Sequence, residues 1–215
     1  MKFQKEHLLL YAVTDRNSIG SRTLYDCVKE ALQGGVTMVQ LREKALQKEE
    51  FIAEAVKIKA LCREYGVPLI INDSVEVAIE SGADGVHVGI TDTPVAQIRK
   101  AVGKDFIIGA TAKTVEQAKI AESEGADYIG VGAVFPSPTK ENAIRISVAQ
   151  LKEICSSVNI PAVAIGGITA ENIAELKGGG ACGVAVVSAI FASQSIESDT
   201  KALKDRVLKV IGEDI

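Results

Sequence analysis

Short apolar runs alternate with amphipathic stretches along the whole chain. The runs are rich in Val and Ile and almost continuously apolar, which is typical of parallel strands that are buried on both faces. Eight such runs occur, in the order LLLYAVTD, VTMVQLR, PLIIND, DGVHVG, FIIGA, DYIGVG, PAVAIGG and CGVAVVS. The stretches between them, such as residues 48–66 and 114–125, have helical patterns. Eight strands, each followed by a helix, predict an α/β fold with one (β/α)8 TIM-barrel domain over residues 1–215.

Four of the predicted helix-to-strand junctions resemble one another: GGVTMVQ, GADGVHV, GADYIGV and GACGVAV. Their glycines, Gly35, Gly82, Gly125 and Gly180, are expected to end the preceding helices in the left-handed conformation. The alternative architecture is a doubly wound open sheet. Its first turn from strand to helix would carry a G-x-G-x-x-G loop, and here that turn reads TDRNSIGS. The barrel is therefore the favoured fold.

Composition narrows the class of protein. The 215 residues carry a net charge of −4, contain no Trp and include only 4% aromatic residues. A nucleic-acid-binding protein normally has a basic surface and stacking aromatic rings, so this class is disfavoured. The N-terminal apolar run has about seven residues, which is too short to span a membrane. The four cysteines form no C-x-x-C pair, so zinc ligation and thioredoxin-like chemistry lack support. We expect a cytoplasmic protein whose cysteines are buried thiols.

Polar residues concentrate where the predicted strands end, and the second strand ends in Gln40-Leu41-Arg42-Glu43-Lys44. Because side chains alternate along a strand, Gln40, Arg42 and Lys44 are expected to share one direction. If that direction is the barrel interior, two cations face the mouth, where this fold places its chemistry. The alternative is a solvated run of charges after the strand.

The third and fourth strands are followed by two aspartates. Asn72-Asp73 ends the third strand, and Asp92 follows the fourth. We predict that Asp73 and Asp92 share one Mg²⁺, which takes one or two carboxylates and leaves other positions to water and substrate phosphate. Alternatively, both aspartates serve only as caps of the helices that follow.

A second polar region follows the sixth, seventh and eighth strands. The sixth strand leads into a long segment with Ser137, Thr139 and Lys140, which are candidates for binding phosphate; the alternative is a plain surface loop. Gly167 and Ser188 lie after the seventh and eighth strands, where this barrel commonly binds phosphate. Two anion-binding regions suit two phosphorylated substrates.

Residues for acid–base catalysis are scarce. The two histidines are His7 and His87. His87 lies inside the fourth strand and is expected to be a hydrogen-bonded core residue rather than a base. No Cys/His or Ser/His/Asp arrangement can be assembled from the sequence.

The ordered segments YAVTDR, VQLREK, IIND, GADGVHVG, GADYIGVGAVFPSPTK, VAIGGI and GVAVVSAI, together with Thr91-Asp92, resemble the thiamine-phosphate synthase family over essentially the whole chain. The resemblance implies a transferase that couples 4-amino-5-hydroxymethyl-2-methylpyrimidine pyrophosphate to hydroxyethylthiazole phosphate or its carboxylated form. The implied products are thiamine phosphate and pyrophosphate. The implied reaction is a dissociative substitution with Mg²⁺ as cofactor.

The resemblance also implies roles for individual residues. The implied catalytic residues are Arg42, Lys44 and Lys140, which would bind pyrophosphate, and Thr111, at a position that is commonly Ser, near the pyrimidine. The implied substrate-binding residues are Gln40 at the pyrimidine, Asn72 at the pyrophosphate, and Ser137, Thr139, Gly167, Val187 and Ser188 at the thiazole phosphate. The implied metal ligands are Asp73 and Asp92.

Two positions depart from the family pattern. Ile90 stands where the family often has Gln, and Lys113 stands where it often has His. Neither change removes an implied ligand of metal or pyrophosphate. The alternatives are a thiazole tautomerase, a sugar-phosphate isomerase or epimerase, and a non-catalytic phosphate-ligand sensor, all on the same barrel. We expect small-molecule substrates and no nucleic-acid or membrane partner, and the sequence leaves a homo-oligomer open.

Overall fold

A computed structural model describes residues 2–136 and 145–212 of the chain. This part of the chain contains eight parallel strands that form a closed barrel in sequence order. The strands are β1 (Leu10–Val13), β2 (Met38–Leu41), β3 (Leu69–Asn72), β4 (Gly85–Val88), β5 (Ile107–Ala112), β6 (Tyr128–Gly132), β7 (Ala162–Ile165) and β8 (Gly183–Val186). Each strand pairs with the next, and β8 pairs with β1. The predicted TIM barrel is confirmed.

Helices connect the strands. They are α1 (Leu24–Gln33), α2 (Lys48–Glu64), α3 (Val75–Glu80), α4 (Val95–Val102), α5 (Val115–Ser123), α6 (Val148–Ser156), α7 (Ser188–Phe191) and α8 (Ile196–Val210). Three short 3-10 turns are also present, at Lys5–Leu8, Arg16–Ser18 and Ile173–Leu176. Within the described ranges, none of the helices is long and apolar enough to cross a membrane.

The connection between β7 and β8 differs from the prediction. It contains only the 3-10 turn Ile173–Leu176, whereas α7 and α8 both follow β8. The expectation of a helix after every strand is therefore wrong for β7. Three consecutive glycines, residues 178–180, follow the turn, and glycine disfavours a longer helix because it loses the most backbone freedom.

The four repeated junctions have the backbone conformation that the sequence predicts. Gly35, Gly82, Gly125 and Gly180 have φ angles of 93°, 66°, 95° and 78°. This left-handed region carries a steric penalty for residues with a Cβ atom and little for glycine. Each glycine therefore lets the chain turn sharply into an even-numbered strand.

At three of these junctions, the side chain just before the even-numbered strand is hydrogen-bonded to the preceding odd-numbered strand. In three of the four junctions its oxygen accepts a backbone N–H at the N-terminal end of the barrel. These bonds join Leu10 N to Thr37 Oγ1 (2.9 Å), Leu69 N to Asp84 Oδ2 (2.8 Å) and Ile108 N to Asp127 Oδ2 (2.7 Å). In the fourth junction this position is Cys182, and sulfur is a weak acceptor. The oxygen bonds satisfy buried N–H groups and help to fix the register of each strand pair.

Both junction carboxylates, Asp84 and Asp127, are also paired with cations. Lys59 Nζ lies 2.5 Å from Asp84 Oδ2, and Arg99 Nη2 lies 2.6 Å from Asp127 Oδ2. The same guanidinium donates to the carbonyl of Gly125 at 2.8 Å. Arg99 thereby connects α4 to the junction that precedes β6.

The barrel interior is filled by inward-facing side chains. Buried members of this interior cluster are Leu8, Tyr11, Val13, Met38, Ile70, Ile107, Tyr128, Val163 and Ala185. Glycines on β5 and β6 make room for the largest of them. A Cβ atom on Gly109 would lie 2.1 Å from Tyr128 Cζ and 2.5 Å from His87 Nδ1, and one on Gly130 would lie 3.1 Å from His87 Cε1. The two aromatic rings therefore depend on these two glycines.

All four cysteines are free thiols. Cys27 and Cys62 are buried as expected, whereas Cys155 and Cys182 are only half-buried. Burial raises the pKa of the Cys62 thiol to about 12, which keeps it protonated and unreactive at neutral pH.

Replacing Asp127 by Ala is expected to lower the free energy of unfolding by about 2 kcal/mol, because a backbone N–H and Arg99 both lose their acceptor. Urea-induced unfolding followed by circular dichroism measures the change. Asp105→Ala, at an exposed aspartate outside the junctions, is the matched control and is expected to stay within about 0.5 kcal/mol of the wild type. Equal losses in the two variants would contradict the stabilising role of the junction bond.

Candidate active site

A cavity of about 190 Å³ lies at the carboxyl ends of the strands. Every strand, or the residues directly after it, contributes to the cavity wall, as expected for the active site of this fold. The polar and charged members of the wall are Tyr11, Gln40, Arg42, Asn72, His87, Thr111, Lys113 and Ser188. The rest of the wall consists of Gly, Ala, Val and Ile residues.

A chain of hydrogen bonds crosses the barrel interior beneath the cavity. Gln40 Nε2 donates to the Tyr11 hydroxyl at 2.7 Å, and the Tyr11 and Tyr128 hydroxyls are 2.9 Å apart. The Tyr128 hydroxyl lies 3.1 Å from His87 Nδ1, and His87 Nε2 lies 3.1 Å from Thr111 Oγ1. His87 is thus a hydrogen-bonded interior residue, as the sequence predicts, and it also reaches the cavity wall.

Burial raises the pKa of both tyrosines above the ordinary value. For Tyr11, desolvation outweighs the hydrogen bonds to Tyr128 and Gln40, which act in the opposite direction. For Tyr128, the neighbouring Tyr11 adds to the effect of desolvation. Both phenols therefore stay protonated at neutral pH and serve as neutral hydrogen-bonding groups.

Two cations lie in the cavity wall. Arg42 directly follows β2, and its backbone N–H donates to Thr14 Oγ1 at 2.9 Å. Its side-chain Nη1 lies 3.8 Å from Asp15 Oδ1. Lys113 directly follows β5 and lines the cavity, as Thr111 of that strand does. The wall as described contains no carboxylate, so the cavity favours an anion.

Lys44 lies elsewhere. β2 ends at Leu41, so the alternation that would align Lys44 with Arg42 does not continue along the chain. Lys44 is exposed in a turn and is not part of the cavity wall. Both the expectation that it shares the direction of Arg42 and its role in binding pyrophosphate stay predictions.

Asp73 and Asp92 are both attached to the end of β4. The Asp73 N–H donates to the His87 carbonyl at 2.8 Å. Its φ of 62° is left-handed, a conformation that Asp tolerates better than most residues. Asp92 Oδ2 accepts the N–H of Gly89 at 2.6 Å. The backbone groups that bind the two aspartates belong to His87 and Gly89, which are two residues apart at the end of β4.

Neither aspartate is the N-cap residue of the helix that follows it. Ser74 caps α3, where its hydroxyl accepts the N–H of Val77, and α4 follows Pro94 without a side-chain cap. Among residues 2–136 and 145–212, no three His, Cys, Asp or Glu side chains are grouped to hold a metal. A cation at the aspartates would therefore also need oxygen atoms from water or substrate.

Backbone and small side chains form the cavity wall after β7 and β8. Gly166 and Gly167 have φ angles of 104° and 62°. A Cβ atom on Gly167 would lie 2.1 Å from the carbonyl oxygen of Pro136, so only glycine fits this close approach. Val187 and Ser188 follow β8 directly, and all four residues line the cavity.

The structure brings most of the predicted site residues together. Those in the cavity wall are Gln40, Arg42, Asn72, Thr111, Gly167, Val187 and Ser188. Ser137, Thr139 and Lys140 lie outside the described residues. Tyr11 and Lys113 also line the cavity, and the sequence predicts no role for either. The available signals were a lone Tyr in an aliphatic strand and a Lys two residues after Thr111, on the same face.

These features define a (β/α)8-barrel protein with a cavity at the carboxyl ends of its strands whose wall contains two cations. The model of the thiamine monophosphate synthase family matches residues 10–190. A thiamine-phosphate synthase of Ruminiclostridium cellulolyticum is 47% identical over 194 residues, which cover 90% of this chain and 92% of that protein. One from Clostridium acetobutylicum is 44% identical over 200 residues, 93% of this chain and 95% of that protein.

A solved structure of thiamine phosphate pyrophosphorylase from Pyrococcus furiosus has the same fold. Its TM-score is 0.89 at 36% sequence identity, and the match covers 97% of this chain and 99% of that chain. The chain belongs to the thiamine monophosphate synthase family. Its activity is the synthesis of thiamine phosphate, a transferase reaction of thiamine biosynthesis.

We expect Arg42→Gln to weaken the binding of inorganic pyrophosphate by about tenfold or more, because hydrogen bonds to a charged group contribute about 1.5–3 kcal/mol. Isothermal titration calorimetry in the presence of Mg²⁺ measures the affinity. Lys57→Gln removes an exposed charge from α2 as the matched control, and its affinity is expected within about twofold of the wild type. Unchanged affinity in Arg42→Gln would exclude Arg42 from the anion site.

Proposed function

We propose that the cavity couples 4-amino-5-hydroxymethyl-2-methylpyrimidine pyrophosphate to hydroxyethylthiazole phosphate, or to its carboxylated form, by a dissociative substitution. The observation that carries this proposal is the pair of cations, Arg42 and Lys113, in a cavity wall whose described residues include no carboxylate. Such a wall favours an anionic leaving group. Both ring nitrogens of His87 lie within hydrogen-bond distance of other side chains, which fits a reaction that needs no general base.

Pyrophosphate is proposed to bind between β2 and β5. Arg42 would pair with its oxygens, and Asn72 would donate from its side-chain amide. Lys113 adds a second cation at a position where the family often has His. Lys44 and Lys140 are proposed to complete the site around bound pyrophosphate. This proposal for Lys44 and Lys140 rests on the family resemblance.

Asp73 and Asp92 are proposed to hold Mg²⁺. Carboxylates are the hard oxygen ligands that this ion prefers, and both residues are attached to the end of β4. A pair of carboxylates leaves the remaining positions of the ion to water and phosphate oxygens. When bound, Mg²⁺ would offset the negative charge that develops on the leaving pyrophosphate.

In the proposed reaction, the C–O bond between the pyrimidine methylene and pyrophosphate breaks first, and its electron pair leaves with pyrophosphate. The electron-rich aminopyrimidine delocalises the positive charge that remains on the methylene carbon. The thiazole nitrogen then donates its electron pair to form the new C–N bond. The cavity residues would align the two rings and stabilise the leaving group.

The two rings are proposed to occupy different parts of the cavity. Gln40 and Thr111 would bind the pyrimidine on β2 and β5. The residues proposed to surround the thiazole phosphate are Ser137, Thr139, Gly167, Val187 and Ser188. Backbone N–H groups at tight glycine turns can approach an anion closely, which supports the assignment of Gly167.

We also propose a cytoplasmic location. The four cysteines lie within the described residues, and all are free thiols, as in a protein kept in a reducing compartment. The proposed substrates are small, phosphorylated molecules. A homo-oligomer is compatible with this proposal and is not required by the cavity, to which all eight strands of one chain contribute.

The purified protein, incubated with both substrates and Mg²⁺, is expected to release pyrophosphate and form thiamine phosphate in equal amounts. An enzyme-coupled assay measures pyrophosphate, and liquid chromatography measures thiamine phosphate. Pyrophosphate release that requires the thiazole phosphate supports the proposal. Absence of both products would contradict the proposal and favour a non-catalytic sensor. Conversion of a thiazole isomer alone would favour a thiazole tautomerase.

Asp92→Asn is expected to raise the Mg²⁺ concentration for half-maximal activity by about tenfold, because the ion loses one of two charged ligands. A Mg²⁺ titration of initial rates at saturating substrates measures this change. Asp105→Asn removes a charge from an exposed aspartate and serves as the control, with an unchanged titration. An identical titration in Asp92→Asn and wild type would rule Asp92 out as a ligand.

A further inference from the structure

The hydrogen-bond chain beneath the cavity has a direction. Gln40 Nε2 donates to the Tyr11 oxygen, so the single Tyr11 proton is directed to Tyr128, its other hydrogen-bonding partner among the described residues. Tyr128 in turn directs its proton to His87 Nδ1. A neutral imidazole whose Nδ1 accepts carries its proton on Nε2, and it donates that proton to Thr111 Oγ1.

The two ends of the hydrogen-bond chain therefore present different groups to a ligand, a donor at one end and an acceptor at the other. Thr111 Oγ1 already accepts from His87, so its own proton is available for donation. Gln40 uses one of its two Nε2 protons toward Tyr11, which fixes the orientation of the amide and leaves its carbonyl Oε1 available as an acceptor. Both residues lie in the cavity wall, on strands β5 and β2.

We infer that Tyr11, Tyr128 and His87 are positioning residues that fix the polarity of the cavity, with Thr111 held as a hydrogen-bond donor and the Gln40 carbonyl held as an acceptor. This inference rests on the proposed function. An aminopyrimidine has N–H groups for the acceptor and ring nitrogens for the donor. A pyrimidine with an oxo group in place of the amino group would bring two acceptors together at Gln40, and the cavity would reject it.

The direction of the chain is a property of all five residues together. Reversing it would require the amide to turn over, both phenol protons to rotate and the imidazole proton to move to the other nitrogen. Burial raises the pKa of both tyrosines, so neither phenol loses its proton to relieve a mismatch. Gly109 and Gly130 preserve the space in which the Tyr128 and His87 rings meet.

The position of the His87 proton tests the direction without any assay of activity. The chain has only two histidines, and His7 Nδ1 accepts the Gln4 N–H at a turn that precedes β1, so His7→Gln leaves His87 as the single imidazole. ¹⁵N NMR of the labelled His7→Gln variant is expected to show a protonated Nε2 and a bare Nδ1. A proton on Nδ1 would mean the opposite direction and would overturn the inference.

Tyr128→Phe tests the consequence for specificity, because it keeps the ring and removes the linking hydroxyl. We expect KM for the pyrimidine pyrophosphate to rise about tenfold, KM for the thiazole phosphate to change less than about twofold, and kcat to fall less than KM rises. The ratio of kcat/KM for the amino substrate over its oxo analogue is expected to fall about tenfold. Thr111→Ser, which keeps a hydroxyl, is expected to retain the ratio, and Thr111→Val to lose it.

Phe3→Leu is the matched control for packing. The Phe3 ring stacks on Tyr128 with centroids 5.6 Å apart, and it takes no part in the hydrogen-bond chain. This variant is expected to keep both KM values and the amino-to-oxo ratio. An unchanged ratio in Tyr128→Phe, or equal changes in Phe3→Leu and Tyr128→Phe, would show that Tyr128 only fills space and would overturn the inference.

The two measurements separate this inference from the proposed function. If the protein makes thiamine phosphate and His87 carries its proton on Nδ1, the function stands and the polarity is wrong. If the proton lies on Nε2 and both substrates remain unreacted, the proposed function fails and the direction of the chain stands. Should Tyr128→Phe not fold, the NMR measurement on His7→Gln still decides the direction.

Discussion

In a closed barrel, every second side chain points into an interior that holds few groups, and the strands of this barrel have only four to six residues. Packing and chemistry must therefore share each strand at a spacing of two residues. On β2, Met38 fills the interior and Gln40 reaches the cavity; on β3, Ile70 fills it and Asn72 reaches the cavity. These two strands thus carry a cavity-facing residue directly above a buried one, which gives this part of the cavity a packed base.

The same constraint explains why the layer beneath the cavity is polar and yet stable. Tyr11 and Tyr128 bury large rings, and a buried hydroxyl costs stability unless it is hydrogen-bonded. Their mutual bond satisfies both hydroxyls and extends to Gln40 on one side and His87 on the other. The polar layer thus joins five strands, while the carboxylates that brace the barrel, such as Asp127, lie at its opposite end.

Much of the fold is predictable because its signals are local. Buried parallel strands need continuous apolar runs, and Gly125 or Gly180 at a sharp turn can be recognised from a few neighbouring residues. The direction of Lys44 is not predictable in this way, because it depends on where the strand ladder stops. The bond between Tyr11 and Tyr128 joins residues 117 positions apart, and no local pattern indicates it.

The aspartates show a third kind of limit. Asp92 stands in a segment that is typical of a helix start, yet its carboxylate accepts from Gly89 instead of from the helix. The N–H of Gly89 and those at the start of α4 are all within a few residues of Asp92. The sequence alone therefore does not show which of them its carboxylate binds. Asp73 adopts a left-handed φ, a conformation that residue propensities would assign to glycine first.

Because Cys182 stands at the last repeated junction, the junction hydrogen bonds are unevenly distributed around the barrel. Three strand pairs are held at their base by an oxygen acceptor, while the pair β7–β8 has sulfur at that place. Among these four strand pairs, β7–β8 therefore lacks the oxygen bond that the other three have at the N-terminal end of the barrel. Gly167 and Ser188 follow the carboxyl ends of the same two strands, β7 and β8. A ligand that binds both Gly167 and Ser188 would join the same two strands at their other end. Binding in the cavity would therefore stabilise the closed barrel.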